Sequence, residues 1–407
     1  MKDVALAFRN LFRHRVRSAV ALSAIVFGVA ALLQSGGFIE WIFLNLRETT
    51  IRSRLGHIQV TRPNYFRDGQ ADPFAFLLPG HSPELQRIAA TPSVRVVTPR
   101  LAFGGLLSAG DVTVSFLGEG VDPEKETAVS ELLSITAGSN LSSSDPHGVI
   151  LGGGLAATVG AAPGDKVVLI ATTAAGGMNA VEARVRGLFA THTKAFDDAA
   201  LRMPIATAQD LLRTDGAHTW VVLLDRTDRT PEILRLFRNR FPESASNLAF
   251  RPWFEMADFY NKTVKLFSRQ MGVVDLIIAL IIVLSISNTL TKSVLERTGE
   301  IGTLLATGSR SGRILKLFLL EGFFLGLVGG LLGIGIGLLL AQAISSVGIP
   351  MPPPPGSNRA YRAGILVTQP LALRAFAIAL GTALLASLHP AWRASRLKIV
   401  DALRHNR

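Results

Sequence analysis

The 407-residue chain is 48% hydrophobic and 18% charged, with a mean hydropathy of +0.36. A soluble domain carries about 25% charged residues, so a wholly soluble chain is excluded, and the absence of cysteine removes disulfides and thiolate metal sites. Of the net charge of +12, all but +1 sits in three short segments, 1–18, 292–316 and 390–407, beside apolar runs; this is the positive-inside pattern of a membrane protein and not the basic stripe of a nucleic-acid binder.

In residues 4–16, Val4, Phe8, Leu11 and Phe12 share one helical face, with Arg9, Arg13 and Arg17 on another. The spacing predicts an amphipathic helix on the cytoplasmic leaflet, or else a plain extension of the first span. Apolar runs follow from Ala19 to about Leu44, Met271 to Thr291, Ile314 to Val347, and Leu371 to Leu388, with Arg374 one turn inside the last. Each has the ~18 residues that cross a ~30 Å hydrocarbon core. A cleaved signal peptide fits the start poorly, because the run is long and 18 polar or amphipathic residues precede it. Five Lys/Arg in each basic segment place both termini and the loop between spans two and three in the cytoplasm, with 45–270 and 348–370 outside.

The large outside block reads as mixed α/β. His57–Arg62, Val94–Pro99, Asp111–Leu117 and Val167–Ile170 alternate like strands, and Trp220–Leu224 reads as a buried one. Helices are expected near Ala206–Arg213, with Thr207 as its cap, and near Pro231–Phe241. Trp253, Ala257, Tyr260, Val264, Phe267, Met271 and Val274 recur every three or four residues, predicting one continuous helix that runs as a stalk into the second span. Leu44 to Ser53 continue the first span in the same way.

Motifs for catalysis are missing. Gly152-Gly153-Gly154-Leu155-Ala156-Ala157 fits a dinucleotide fingerprint formally, but no acidic residue follows at the required distance. A strand over Val149–Leu151, a glycine turn, a short helix Leu155–Val159 and a turn at Pro163-Gly164-Asp165 explain it better. No phosphate-binding G-x-x-x-x-G-K-[ST] loop occurs, the eight His show no metal-ligand spacing, and Asp197-Asp198 reads as a solvated pair. We expect no catalytic residue, no bound cofactor and no metal.

In the third run Gly322, Gly326 and Gly330 step by four, as do Gly329, Gly333 and Gly337. Such spacing makes a close-packing seam, whose partner could be the fourth span, the first span or a second chain of this kind. Asp275 and Glu321 lie near span ends, where partial hydration is expected. Pro350 and Pro352–Pro355 form a stiff outer segment. The loop between spans two and three is short and charged. Glu296, Glu300 and Arg297 would face outward from a short helix, with Ile301, Leu304 and Leu305 opposite.

This loop carries a resemblance. Glu296-Arg297-Thr298-Gly299-Glu300-Ile301-Gly302, Ala306-Thr307-Gly308-Ser309, Leu319-Leu320-Glu321-Gly322, the start Ala7-Phe8-Arg9-Asn10-Leu11 and the tail Pro390-Ala391-Trp392-Arg393-Ala394-Ser395-Arg396 with Asp401-Ala402-Leu403-Arg404 resemble FtsX-like ABC transporter permeases. These include the macrolide-exporter (MacB) and lipoprotein-releasing (LolC/LolE) types. His57-Ile58-Gln59-Val60 and Gly118 to Glu124 are similar to the family's outside domain.

The resemblance implies an α+β membrane protein, four transmembrane helices with a large mixed α/β periplasmic domain between helices one and two. In that scheme 1–17 is the cytoplasmic helix, 18–45 the first span and stalk, 46–268 the periplasmic domain and 269–292 the second span. Residues 293–312 are the coupling helix, 313–347 the third span, 348–370 the Pro-rich loop, 371–389 the fourth span and 390–407 the tail. The coupling residues implied are Glu296, Arg297, Gly299, Glu300, Ile301, Gly302, Gly308 and Arg310. Such a subunit of the inner membrane binds no cofactor itself. It pairs with a second permease subunit, as homo- or heterodimer, and with a cytosolic ABC ATPase chain that binds ATP. It works by mechanotransmission in lipoprotein release or export, with a periplasmic adaptor or lipoprotein carrier as further partner. The rival role is an FtsX-like regulator of a periplasmic cell-wall hydrolase.

Overall fold

The computed structural model describes residues 15–69, 71–131, 133–191, 194–351 and 361–397. The expected amphipathic helix, the run Pro352–Pro355 and the end of the tail lie largely or wholly outside them. The chain divides into two compact units, one of residues 1–44, 263–350 and 362–407, the other of 45–262 and 351–361.

In the first unit the apolar runs form helices α1 (Arg15–Thr50), α2 (Asp258–Glu296), α4 (Ser311–Val347) and α5 (Gln369–Ser395), with the short α3 (Thr298–Ala306) after α2. The four long helices are each long and apolar enough to cross a membrane. At 1.5 Å per residue, α1 and α2 exceed ~50 Å, well beyond a hydrocarbon core. The sequence pattern predicts continuity from Trp253, but Ala257, at φ −90° and ψ 60°, separates a short helix Trp253–Met256 from α2. At the start of α5, Thr368 accepts a hydrogen bond from the Leu371 N–H at 3.4 Å, and Pro370 occupies the first turn, where no N–H is needed.

The glycines of α4 form two seams, not one. A Cβ at Gly322, Gly326 or Gly330 would come within 2.6–2.9 Å of Ser387, Ala383 or Phe376 of α5. A Cβ at Gly329, Gly333 or Gly337 would come within 2.6–2.9 Å of Ile25, Val29 or Leu33 of α1. In lipid, where apolar burial gives no net drive between helices, backbone approach of this kind supplies the packing. Gln34 reinforces the second seam by donating to the Gly337 carbonyl at 2.7 Å. Ile282, Ile286 and Leu290 of α2 join the same core.

The second unit is built on a ten-stranded mixed sheet. Its strands are β1 (Ile58–Thr61), β2 (Val94–Ala109), β3 (Val112–Val121), β4 (Ser134–Gly138), β5 (Gly148–Gly152), β6 (Lys166–Thr172), β7 (Met178–Ala190), β8 (Ala200–Pro204), β9 (Thr219–Leu224) and β10 (Ala249–Pro252). The order is β10-β1-β9-β2-β3-β8-β5-β7-β4. The long β2 pairs with β9 through its first half and with β6 through its second. Because β6 also pairs with β7, the strands β2-β3-β8-β5-β7-β6 close a ring around Leu101, Leu107, Phe116, Val149, Leu169 and Leu201. Strand β9 is buried throughout. Trp220, Val222 and Leu224 enter one core with Phe237 and Phe250, and Val221 and Leu223 another with Ile51 and Trp253. Burial on both faces is why its sequence does not alternate.

Two expectations are corrected here. Thr207 does not cap the Ile205–Leu212 helix, whose cap position is Pro204; it is buried and donates to the Pro146 carbonyl at 2.5 Å. Asp197 is not solvated but 3% exposed, accepting from the Thr191 N–H at 2.9 and 3.0 Å and its hydroxyl at 2.7 Å. The Gly152–Gly154 turn exists to admit this loop, since a Cβ at Gly152 would lie 2.2 Å from the Asp197 carbonyl oxygen.

Candidate functional site at the elbow between helices two and four

The elbow is set by local backbone chemistry. Helix α2 ends at Glu296, and Arg297, at φ −101° and ψ 14°, turns the chain into α3. Gly308 takes φ +91°, a region glycine reaches at little cost, and Arg310, in extended conformation, starts α4.

Arg297 holds the elbow closed. Its Nη1 donates to Glu321 Oε1 at 3.0 Å and its Nε to Glu300 Oε2 at 3.3 Å, while the guanidinium lies 5.6 Å from the Phe318 ring centroid. The side chains of Arg297 and Glu321 are 12% and 7% exposed. The expectation that Arg297 faces outward and that Glu321 is hydrated is therefore corrected: the pair is buried, because a charge at that depth is tolerated only with a partner. Beneath it Ile301 packs with Val294, Ile314, Phe318, Ala391 and Ala394, tying α2, α3, α4 and α5 together.

The outer face of α3 is different. Glu296, Glu300, Thr303, Ala306, Thr307, Gly308 and Arg310 are exposed. Leu304, expected to face inward with Ile301, is 42% exposed, and Leu305 only half-buried. Of the coupling residues read from the sequence, Ile301 and Gly302 are buried inside the elbow, Arg297 and Gly299 are part-buried, and Glu296, Glu300, Gly308 and Arg310 are on its surface. Among the described residues no cluster of three or more His, Asp and Glu could hold a metal.

A second charged cluster, in the 45–262 unit, was not read from the sequence. Arg100 donates to both oxygens of Glu126 at 3.2 and 2.5 Å and to the Arg54 carbonyl. Arg202, 1% exposed, donates to Glu119 at 2.9 Å and to the Ser130 hydroxyl at 2.9 Å, and Arg54 to Glu119 at 3.3 Å. Burial works to raise the Glu119 pKa, but Arg202, Arg54 and Arg100 outweigh it and hold the carboxyl at about 2. Nearby, His57 accepts the Leu224 N–H on Nδ1 at 3.0 Å, which places its proton on Nε2, 3.0 Å from Thr227 Oγ1; that hydroxyl donates to Glu48 at 2.8 Å. Burial pushes His57 down to about 4, so it is neutral at pH 7. The only sequence signal was a charged residue within an apolar strand, as at Leu201-Arg202-Met203.

Four long apolar helices, a charged elbow and a large α/β unit inserted between the first two are the architecture of a multi-pass membrane protein. A family model described as MacB-like periplasmic core domain matches residues 18–239, and one described as FtsX-like permease C-terminal matches 272–399. The chain belongs to this family of FtsX-like permeases with a MacB-like periplasmic core. It is 30% identical over 178 residues to the macrolide export ATP-binding/permease protein MacB of Marinobacter nauticus, 43% of this chain and 26% of that one. It is 25% identical over 312 residues to the lipoprotein-releasing system transmembrane protein LolC of Xylella fastidiosa, covering 70% and 72%. The periplasmic region of MacB from Actinobacillus actinomycetemcomitans aligns with a TM-score of 0.38 at 16% identity, over 54% of this chain and 96% of that one. The matched stretch spans about a quarter or less of the macrolide-export relatives.

Proposed function

We propose that the chain is the permease subunit of an ABC transporter that works by mechanotransmission, in lipoprotein release or substrate export. The observation that carries this reading is the elbow: a short helix bound through Arg297 and Glu321 to the helix that follows, with an exposed face of Glu296, Glu300, Leu304 and Arg310. A motor docking on that face would move α2 and α4 together, because the buried pair and the Ile301–Phe318 core resist separate motion. A two-state motor can drive the helices only if it contacts the elbow differently in each state.

In this reading the elbow, both termini and the tail are cytoplasmic, and 46–268 and 348–370 are periplasmic, a placement that the basic segments support. ATP is bound by an ABC ATPase subunit, and a second permease subunit completes the complex. An adaptor or lipoprotein carrier would act on the periplasmic side. The LolC likeness, running over most of both chains, supports a lipid-anchored or amphipathic substrate taken from the membrane.

The test is Glu300→Lys and, separately, Gly299→Pro. Both are expected to abolish ATPase association or uncouple hydrolysis, with membrane insertion intact. Substrate-stimulated ATPase activity at the normal rate in both mutant complexes would contradict the assignment.

A further inference from the structure

Three charged residues meet where the apolar runs of α1, α2 and α5 reach their ends farthest from the elbow. Arg374 donates through Nη2 to Asp275. Both line a cavity of about 90 Å³ with Glu40 of α1, and its apolar walls are Leu32, Ile39, Phe43, Met271, Leu371 and Ile378. That volume holds several water-sized groups. Asp275 is 16% exposed on its side chain, whereas Arg374 is 61% exposed and keeps most of its five N–H donors free of Asp275. Glu40 is exposed and has no hydrogen-bond or ion-pair partner among the described residues. A carboxylate within an apolar span is costly and calls for a partner. Trp41 sits beside it, the residue type that marks the headgroup level.

We propose that this cavity is a headgroup site for a zwitterionic phospholipid with a primary ammonium. Arg374 holds the phosphate, because a guanidinium presents paired donors to phosphate oxygens. Asp275 fixes that guanidinium at the cavity wall. Glu40 accepts the ammonium in a charge-assisted hydrogen bond. The six apolar side chains take the glycerol and first acyl carbons. The site's own charges sum to −1, so an anionic headgroup is disfavoured. A choline headgroup, with no N–H, cannot donate to Glu40. The site needs neither the ATPase nor the orientation proposed above.

The test is native mass spectrometry of the full chain in detergent, with phosphatidylethanolamine, phosphatidylcholine and phosphatidylglycerol of matched acyl chains, and with soluble phosphoethanolamine. Phosphatidylethanolamine is expected to be retained about tenfold over the other lipids, equal to about 1.4 kcal/mol. Phosphoethanolamine is expected to bind far more weakly, because it lacks the acyl contacts. Glu40→Gln, on an exposed side chain with no partner among the described residues to orphan, is expected to bring phosphatidylethanolamine down to the phosphatidylcholine level. Arg374→Gln should weaken both, although it also leaves Asp275 unpaired, so Glu40→Gln is the decisive variant. Equal retention of the three lipids, an unchanged preference in Glu40→Gln, or phosphoethanolamine binding as tightly as the lipid would each overturn the proposal.

Discussion

The two buried arginine–carboxylate clusters differ in how the chain assembles them. At the elbow, Arg297, Glu300 and Glu321 come from adjoining elements within 24 positions, and the cluster has more carboxylates than arginines. In the 45–262 unit, Arg54, Arg100, Glu119, Glu126 and Arg202 come from five separate elements, with arginine in excess. The first fixes a local angle between helices. The second locks a topology, since Arg202 meets Glu119 and Ser130 only once strands far apart in the chain have paired. A buried pair adds little net stability over a packed apolar one but is costly to break from one side, so each cluster restricts geometry more than it adds energy.

Breaking the topological cluster should have the largest effect. Arg202→Ala leaves Glu119 buried beside fewer counter-charges and is expected to cost about 3–5 kcal/mol, read from denaturant unfolding through the fluorescence of buried Trp220. Unchanged stability would mean that the cluster is bystander packing. At the elbow, Arg297→Ala orphans the buried Glu321 alone. A smaller stability loss is expected, with transport-coupled ATPase activity falling far more than stability; a proportionate fall in both would remove the distinction between the clusters.

The glycine seams offer an uncharged counterpart. Gly333→Leu drives side-chain atoms into Val29 and should cost about 1–3 kcal/mol by overpacking, lowering the thermal midpoint in detergent. Gly335→Ala, two residues away with nothing within 4 Å of the added Cβ, should be neutral or slightly stabilising.

Within the 45–262 unit, titration separates the arginine–carboxylate cluster from its neighbour His57. His57 is held near 4 in the folded chain against an ordinary 6.5, so the unfolded state takes up the proton first. Its contribution is complete above pH 6.5 and is lost as the pH falls toward 4. Glu119, held at about 2 against 4.5, contributes above pH 4.5 and is lost as the pH falls toward 2. Unfolding of the 45–262 unit followed from pH 7 to 2.5 should show both windows; His57→Gln should shrink the upper one, to which His218, also pushed down to about 4 by burial, contributes as well, and Glu119→Gln should shrink the lower.

Much of the architecture was legible residue by residue. The apolar runs, the basic segments and the i,i+4 glycines act over one or two helical turns, and the bilayer's demand for internally satisfied backbone leaves helices as their outcome. Strands β1, β6 and β9 were likewise written in local hydrophobicity. The short charged helix of the elbow was readable, but the break at Arg297 and its inward turn were not, because the turn depends on Glu321 on another helix. The same reason hid the Asp197 loop behind Gly152 and the break at Ala257.

The sequence by itself determined four long apolar helices, their basic flanks and an α/β block between the first two, because each follows from short-range periodicity and charge. Only the tertiary structure decided that α4 packs one seam on α5 and the other on α1, that Arg297 closes onto Glu321, and that five charged residues from separate strands and helical segments share one buried cluster. Those outcomes depend on burial and on partners far away in the chain, and a side chain's exposure and electrostatic company are set by what folds against it.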